Sequence, residues 1–130
     1  MNIGEEKYVS ITTLTAKGAE KRTPVWIAEL ADGRVGFTTA ADSWKVRRIR
    51  RNPSVRLQPC DMRGRVNAGS APVAGTAEIA PEDSEGYLEV RRAIDSKYGI
   101  AAKAIALQAK LGSLLRRTTP PRCAVVVRLG

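Results

Sequence analysis

Short β-rich segments follow one another along the chain with few helices between them, and this order restricts the possible folds most strongly. Six strands are predicted, at residues 8–14, 22–30, 34–39, 55–60, 73–79 and 124–129. Asp32-Gly33 is a two-residue hairpin signal between the second and third strands. The element order β-β-β-α-β-β-α-α-β contains few β-α-β units. It favours a mostly β fold, an antiparallel barrel with peripheral α-helices.

Three helices are predicted between these strands. The first covers residues 44–51, capped by Asp42 or Ser43 and ended by Asn52-Pro53. The second begins at Pro81 and ends at Gly99. A third covers residues 100–114, where apolar residues recur at spacings of three and four. The successive valines at 125–127 predict a final strand buried on both faces.

Pro24 lies inside the second predicted strand. Proline has no N–H to donate to a ladder, so this stretch is expected at a sheet edge, at a bulge or beside a ligand-facing gap. Which of the three applies is not decided by the sequence.

Length and composition exclude several classes of protein. The 130 residues suit one domain spanning 1–130, and no apolar run is long enough to span a membrane. The first residues lack the apolar core of a signal peptide, so a cytoplasmic location is expected. The absence of histidine excludes imidazole bases and His-ligated zinc. No metal site is predicted, and Cys60 and Cys123 are expected to be buried thiols.

Positive charge is concentrated in one segment. Residues 45–65 hold eight basic residues and a single acid, Asp61, and so carry +7 of the net charge of +9. Such a segment attracts a phosphate, a polyanionic cofactor or nucleic acid. Nucleic acid is disfavoured, because Trp44, directly before the segment, is the one aromatic residue adjoining it and cannot form a repeated stacking platform.

The start of the first helix has the features of a phosphate cradle. Ser43 and Lys45 place a hydroxyl and an ammonium beside the free N–H groups of the first turn. No glycine-rich phosphate motif accompanies them. The alternative is a solvated basic helix face. Trp26 and Trp44 fit either a flat ring system or core packing.

Three motifs in order carry a family resemblance. Residues 22–27 (RTPVWI), 32–39 (DGRVGFTT) and 43–53 (SWKVRRIRRNP) resemble the flavin- and deazaflavin-binding split β-barrel family of pyridoxamine-phosphate oxidase. Residues 59–65 (PCDMRGR) resemble the small F420-dependent reductases of actinobacteria. The excess of arginine over lysine is also typical of an actinobacterial protein.

The resemblance implies a homodimer with cofactor sites at its interface, acting on a small-molecule substrate. It implies that the strand at residues 22–27 lines the flavin ring through backbone groups, and that the residues around the first helix hold the phosphate end. The implied cofactor-binding residues are Arg22, Thr23, Pro24, Val25, Trp26, Thr38, Thr39, Ser43, Trp44, Lys45 and Arg48. Trp44 departs from the family pattern, which has Arg or a small residue there.

The function expected is an oxidoreductase that binds coenzyme F420 and transfers hydride to a conjugated small-molecule acceptor. The cofactor carries such chemistry, which suits a chain without histidine. Basic residues beyond those that one phosphate needs suit the glutamate carboxylates of the F420 tail. The alternatives are an FMN-binding oxidoreductase of the same fold and a non-catalytic cofactor-binding protein. The sequence identifies no catalytic residue.

Overall fold

The computed structural model describes residues 3–99 and 121–130, which are built on one antiparallel sheet. Its strands are β1 (Tyr8–Leu14), β2 (Glu20–Trp26), β3 (Ala28–Glu29), β4 (Val35–Ala40), β5 (Ser54–Cys60), β6 (Val73–Pro81) and β7 (Arg122–Leu129). Helices α1 (Trp44–Arg51) and α2 (Glu85–Tyr98) pack against the sheet, and 3-10 turns occupy Ile3–Glu5 and Ala31–Gly33. The helix predicted at residues 100–114 lies outside the described residues. No described helix is long and apolar enough to cross a bilayer.

The sheet curls so that its two edges meet. Its strand order is β2-β1-β5-β6-β7-β4-β3, with every neighbouring pair antiparallel. The edge strands β2 and β3 are separated in the chain by Ile27 alone. The sheet is therefore a barrel joined to itself at one point, and the predicted split β-barrel with peripheral helices is confirmed.

Two apolar clusters hold the barrel and its helices together. The first fills the interior and consists of Ile3, Val9, Ile11, Ile27, Val35, Phe37, Ile49, Val55, Leu57, Ala77, Val125 and Val127. The second lies between the sheet and α2 and consists of Ala28, Leu30, Ala80, Val90, Ile94, Ala124 and Val126. Alternate residues of β7 enter the two clusters, which confirms the strand predicted to be buried on both faces. Cys60 and Cys123 are buried free thiols, as expected.

Helix α2 packs very close to β4. A Cβ atom at Gly36 would stand 2.8 Å from Cγ2 of Val90, closer than real Cβ contacts allow. Glycine at this position therefore lets the helix reach the sheet.

Apart from shifts of one or two residues at strand ends, the structure differs from the predicted elements at three places. The strand predicted at residues 22–30 is divided at Ile27, because its first part pairs with β1 and its last part with β4. The turn at Asp32-Gly33 is a three-residue loop, closed by the Leu30 N–H donating to the Arg34 carbonyl at 2.7 Å. In it Asp32 and Gly33 both have positive φ, 62° and 75°.

The helix predicted from Pro81 starts four residues later. Pro81 ends β6, where it pairs with Cys123, and Ser84 caps α2 by accepting from the Tyr87 N–H. The predicted end at Gly99 is confirmed, with φ of 55° there. For α1 the predicted bounds are confirmed, and Ser43 is the cap.

Candidate functional site

Ile27 is the point at which the barrel changes pairing. Trp26, just before it, pairs with Tyr8 of β1, and Ala28, just after it, pairs with Gly36 of β4. If the β3–β4 register continued backwards, Trp26 would stand opposite Thr38 and Pro24 opposite Ala40, but β2 makes no described ladder with β4.

The residues that precede Ile27 in β2 therefore diverge from β4. We call the interval between residues 22–26 and 37–40 the split. One edge of β2 faces it without a ladder partner, so main-chain N–H and C=O groups are available there. Because β2 has a ladder on one side only, the missing N–H of Pro24 breaks no hydrogen bond to a second strand. This fits the expectation of an edge or a ligand-facing gap.

Positively charged side chains lie together where β4 ends and β7 begins, next to α1. Ala40 pairs with Arg122, and the Arg122 guanidinium donates to Oγ1 of Thr38 at 3.2 Å. The main-chain N–H of Arg122 donates to a Glu82 carboxylate oxygen at 3.0 Å, which fixes the start of β7. Arg122 therefore extends the group of cations predicted from α1.

Lys45 lies close to two other cations. Partial burial lowers the pKa of Lys45, and the positive charges of Arg48 and Arg122 lower it further. None of these three side chains forms an ion pair with a carboxylate in the described part of the chain. We call Lys45, Arg48 and Arg122 the cation cluster. A bound anion would offset the repulsion between these three cations.

The first turn of α1 adds neutral donors beside the cation cluster. Ser43 Oγ accepts from the Val46 N–H at 3.4 Å, and Val46 and Ile49 are buried beneath the helix. Burial of these two residues seats α1 against the barrel, so the helix presents Lys45 from a fixed base.

The two predicted threonines face opposite ways. Thr38 contacts Arg122 on the outer face of β4, whereas Thr39 is only 8% exposed and alternates with it onto the inner face beside Phe37. The Thr39 side chain therefore does not join the cation cluster.

Trp44 and Arg22 lie at the periphery. The Trp44 side chain is 67% exposed, and the Arg47 guanidinium lies over its ring, 4.9 Å from the centroid. Arg22 is exposed and pairs with Glu20, which also contacts Arg56. Both positions stay predicted cofactor contacts.

The remaining predicted residues belong to β2. Thr23 and Val25 share the face of β2 that turns towards the barrel interior, where Val25 packs on the inner cluster. Trp26 is on the other face and stacks on Tyr98 of α2, with ring centroids 4.4 Å apart and planes 4° apart.

The end of α2 holds the pairing switch in place. Lys97 Nζ donates to the carbonyl oxygens of Gly4 and Ile27, each at 2.7 Å, and to that of Glu6. The Tyr98 hydroxyl lies 2.6 Å from the Lys7 carbonyl oxygen and 2.7 Å from that of Ile27. We call Lys97 and Tyr98 the clamp.

Arg122 and the clamp are the residues that the sequence reasoning missed. Arg122 lies far from the basic segment in sequence, and only the β4–β7 register brings it to Thr38. For the clamp, the sequence reasoning assigned residues 97–99 no role in the site.

The described residues contain no group of metal-ligating side chains. Burial raises the pKa of Cys60 and of Cys123, so neither thiol is an activated nucleophile. The chemical features of this region are thus a group of cations without carboxylate ion pairs among the described residues and a strand edge without a ladder partner.

Comparisons with known proteins agree with this geometry. The family model described as pyridoxamine 5'-phosphate oxidase matches residues 2–128. No curated protein is significantly similar to the chain.

Solved structures share the fold at low sequence identity. A protein described as an F420 reductase is 21% identical, with a TM-score of 0.63, covering 98% of this chain and 90% of that one. The heme storage protein HutZ from Vibrio cholerae is 13% identical, with a TM-score of 0.70 and coverages of 98% and 84%. An FMN-binding, pyridoxamine 5'-phosphate oxidase-related protein from Nostoc punctiforme is 12% identical, with a TM-score of 0.60 and coverages of 95% and 70%.

Proposed function

Because the chain belongs to the pyridoxamine 5'-phosphate oxidase family, we propose that it is an oxidoreductase that binds coenzyme F420 at the split. In this proposal it transfers hydride to a conjugated small-molecule acceptor. The observation that carries the proposal is the cation cluster, in which the side chains of Lys45, Arg48 and Arg122 lie together and form no ion pair with a carboxylate among the described residues.

The number of cations favours F420 over FMN. Arg47, Arg50 and Arg51 are exposed on α1 beside the cation cluster. Successive helix residues point about 100° apart, so these side chains do not all reach one phosphate. A tail that carries carboxylates beyond the phosphate uses this charge, whereas the short tail of FMN leaves most of it solvated.

The residues present fit such a cofactor. Lys45, Arg48 and Arg122 would hold the phosphate, with the Thr38 hydroxyl and the first turn of α1 as neutral partners. The unpaired edge of β2 offers main-chain donors and acceptors to a flat heteroaromatic ring. A bound deazaflavin or flavin supplies hydride-transfer chemistry itself, so the chain needs no nucleophile of its own.

The proposal includes a homodimer with the cofactor sites at its interface. Strand β2 ends the sheet, and beside it the loop after β5 exposes Met62, whose side chain is 69% exposed. The loop lies against β2, since a Cβ at Gly64 would stand 3.5 Å from Cδ of Pro24. Exposed apolar surface next to a free edge favours association. Sedimentation of a monomer at micromolar concentration would argue against this part.

FMN is the second candidate cofactor, supported by the fold shared with the Nostoc punctiforme protein whose description names FMN. A non-catalytic cofactor-binding role uses the same site. Haem is disfavoured, because the 130 residues contain no histidine to supply an imidazole axial ligand.

Titration of the purified protein with F420, and separately with FMN, tests the proposal. We expect F420 to bind more tightly at low salt, and its advantage to shrink at high salt as exposed charges are screened. Equal affinities at every salt concentration would favour FMN. Binding of neither at saturating concentration would refute the enzyme proposal.

Reaction is tested next. Protein loaded with reduced F420 should return the absorbance of the oxidised coenzyme when a conjugated acceptor is added. Tight binding without turnover of any acceptor would favour the non-catalytic alternative.

A further inference from the structure

The pairing switch at Ile27 decides how far the split extends. Residues on one side of it are held by β1 and residues on the other side by β4. If the pairing switch moved from Ile27 towards Trp26, more residues of β2 would pair with β4 and the split would shorten. If it moved the other way, β3 would be released from β4. A contact that fixes Ile27 therefore fixes the split.

The clamp makes this contact from outside the sheet. The Ile27 side chain is fully buried in the barrel interior, while its carbonyl oxygen accepts from Lys97 Nζ and lies 2.7 Å from the Tyr98 hydroxyl. Lys97 Nζ also donates to the carbonyls of Gly4 and Glu6, so its three N–H groups are all used. The 3-10 turn at Ile3–Glu5 is thereby tied to the same point.

Tyr98 holds the adjacent residue as well. Its ring is stacked on Trp26, the last residue of β2 before the switch. Since Trp26 would stand opposite Thr38 if the β3–β4 ladder continued, the stack fixes β2 where the split begins. The stacked ring and the bonded carbonyl thus restrain two successive residues.

We propose that Lys97 and Tyr98 are positioning residues that set the opening of the split, and thereby the affinity for the ring of the cofactor. This inference rests on the proposed function for its cofactor part only. The clamp contacts none of the cation cluster, so it acts on the ring end of the site and not on the phosphate end. Neither residue was among those predicted to bind the cofactor.

The test uses two clamp variants and two matched controls on α2. Lys97→Met removes the three donors and keeps an apolar stem, whereas Tyr98→Phe keeps the stacked ring and removes the hydroxyl. Ser96→Ala alters an exposed neighbour, and Tyr87→Phe removes a hydroxyl that has no hydrogen-bond partner among the described residues. Each protein is titrated with FMN, F420 and inorganic pyrophosphate.

Whichever cofactor the wild type binds, both clamp variants should bind it about tenfold more weakly, a loss of the size that one hydrogen bond contributes. Their affinity for pyrophosphate should be unchanged, and both controls should match the wild type. A purely structural role would weaken cofactor and pyrophosphate binding together. Unchanged cofactor binding in both variants, or equal loss of the two ligands, would overturn the proposal.

Hydrogen exchange separates this proposal from the proposed function. In the ligand-free clamp variants, amides of residues 20–30 should exchange faster, while those of β5 and β6 keep their protection. If exchange at residues 20–30 is unchanged, the positioning role is refuted whether or not a cofactor binds. If that exchange rises and the wild type binds neither cofactor, the proposed function fails and the clamp's effect on the split stands. Tyr98→Phe, the milder change, serves if Lys97→Met does not fold.

Discussion

The two ends of the split use lysine in opposite ways. At the phosphate end, Lys45 lies among other cations with no described carboxylate partner. At the ring end, Lys97 donates to three main-chain carbonyls. Burial is the main cause that lowers the pKa of each, but Arg48 and Arg122 add to the effect at Lys45, whereas Glu5, Glu6 and Glu29 oppose it at Lys97.

The difference is a reason to propose that a ligand binds at the end that holds Lys45. A lysine whose donors are all used inside the protein stabilises the fold and has nothing left to offer. A lysine held beside two other cations raises the energy of the ligand-free state, and an anion relieves that energy. The first arrangement fits the positioning role proposed for Lys97, and the second supports the anion site proposed around Lys45.

Removing the buried side chain that anchors α1 should have the largest effect on stability, and it should also displace Lys45 and Arg48. Ile49→Ala leaves a cavity in the interior cluster, and we expect a loss of about 2–5 kcal/mol of stability. Urea unfolding measures it. Arg51→Ala, on the exposed side of the same helix, is the control and should change stability by less than about 0.5 kcal/mol. Equal effects of the two changes would show that α1 is not anchored through Ile49.

Exchanging each lysine for methionine sharpens the comparison. Lys97→Met leaves the carbonyls of Gly4 and Glu6 without this donor, while that of Ile27 keeps the Tyr98 hydroxyl at 2.7 Å. Because Lys97 is exposed and water can replace it, we expect a loss of about 0.5–1.5 kcal/mol of stability. Lys45→Met removes a mutually repelling charge and should be neutral or stabilising by up to about 0.5 kcal/mol. Thermal unfolding of the two variants at neutral pH should therefore move in different directions. Destabilisation of similar size by both would contradict the assignment.

The fold could be predicted further than the site. Alternating apolar residues and turn signals placed the strands, because burial on one face of a sheet imposes a period of two. The division at Ile27 could not be seen, since the residues on both sides of it form strands and only tertiary pairing decides which neighbour each strand takes. The predicted start of α2 is too early because proline is compatible with both a helix start and a strand end.

The site divided in the same way. The proximity of Lys45 and Arg48, and the cap at Ser43, could be predicted from the pattern of a single helix. Arg122 could not, since it reaches Thr38 through a strand register that joins distant parts of the chain. Thr39 shows that proximity in sequence is not sufficient. Side chains alternate along a strand, so that of Thr39 points inwards although that of its neighbour Thr38 faces out.

Alkaline pH should separate Tyr98 from the lysines. Burial is the main cause that raises the pKa of Tyr98, so above about pH 10 the unfolded chain ionises this phenol before the native one does. Native protein then holds more protons than unfolded protein, and stability falls with pH, by less than about 1.4 kcal/mol per unit. Tyr98→Phe should lack this decline. A parallel decline in both proteins would contradict it.

The lowered pKa of Lys45 gives a smaller effect of opposite sign. Between its lowered pKa and the ordinary lysine value of about 10.4, the unfolded chain binds more protons, so stability rises with pH. Lys45→Met should flatten this rise, and pyrophosphate should reduce it in the wild type by favouring the charged ammonium. Urea unfolding from pH 8 to 10 measures the slope. An identical slope in wild type and Lys45→Met would show that folding does not lower the pKa of Lys45.

The most direct test of the difference between the two ends is calorimetric titration of inorganic pyrophosphate at low salt. The wild type, Lys45→Met, Arg122→Gln and Lys97→Met are compared. Loss of one charge-assisted contact should weaken binding about tenfold or more in Lys45→Met and in Arg122→Gln. Lys97→Met should bind as the wild type does. The account is contradicted if the first two variants bind as well as the wild type, or if Lys97→Met loses affinity to the same extent.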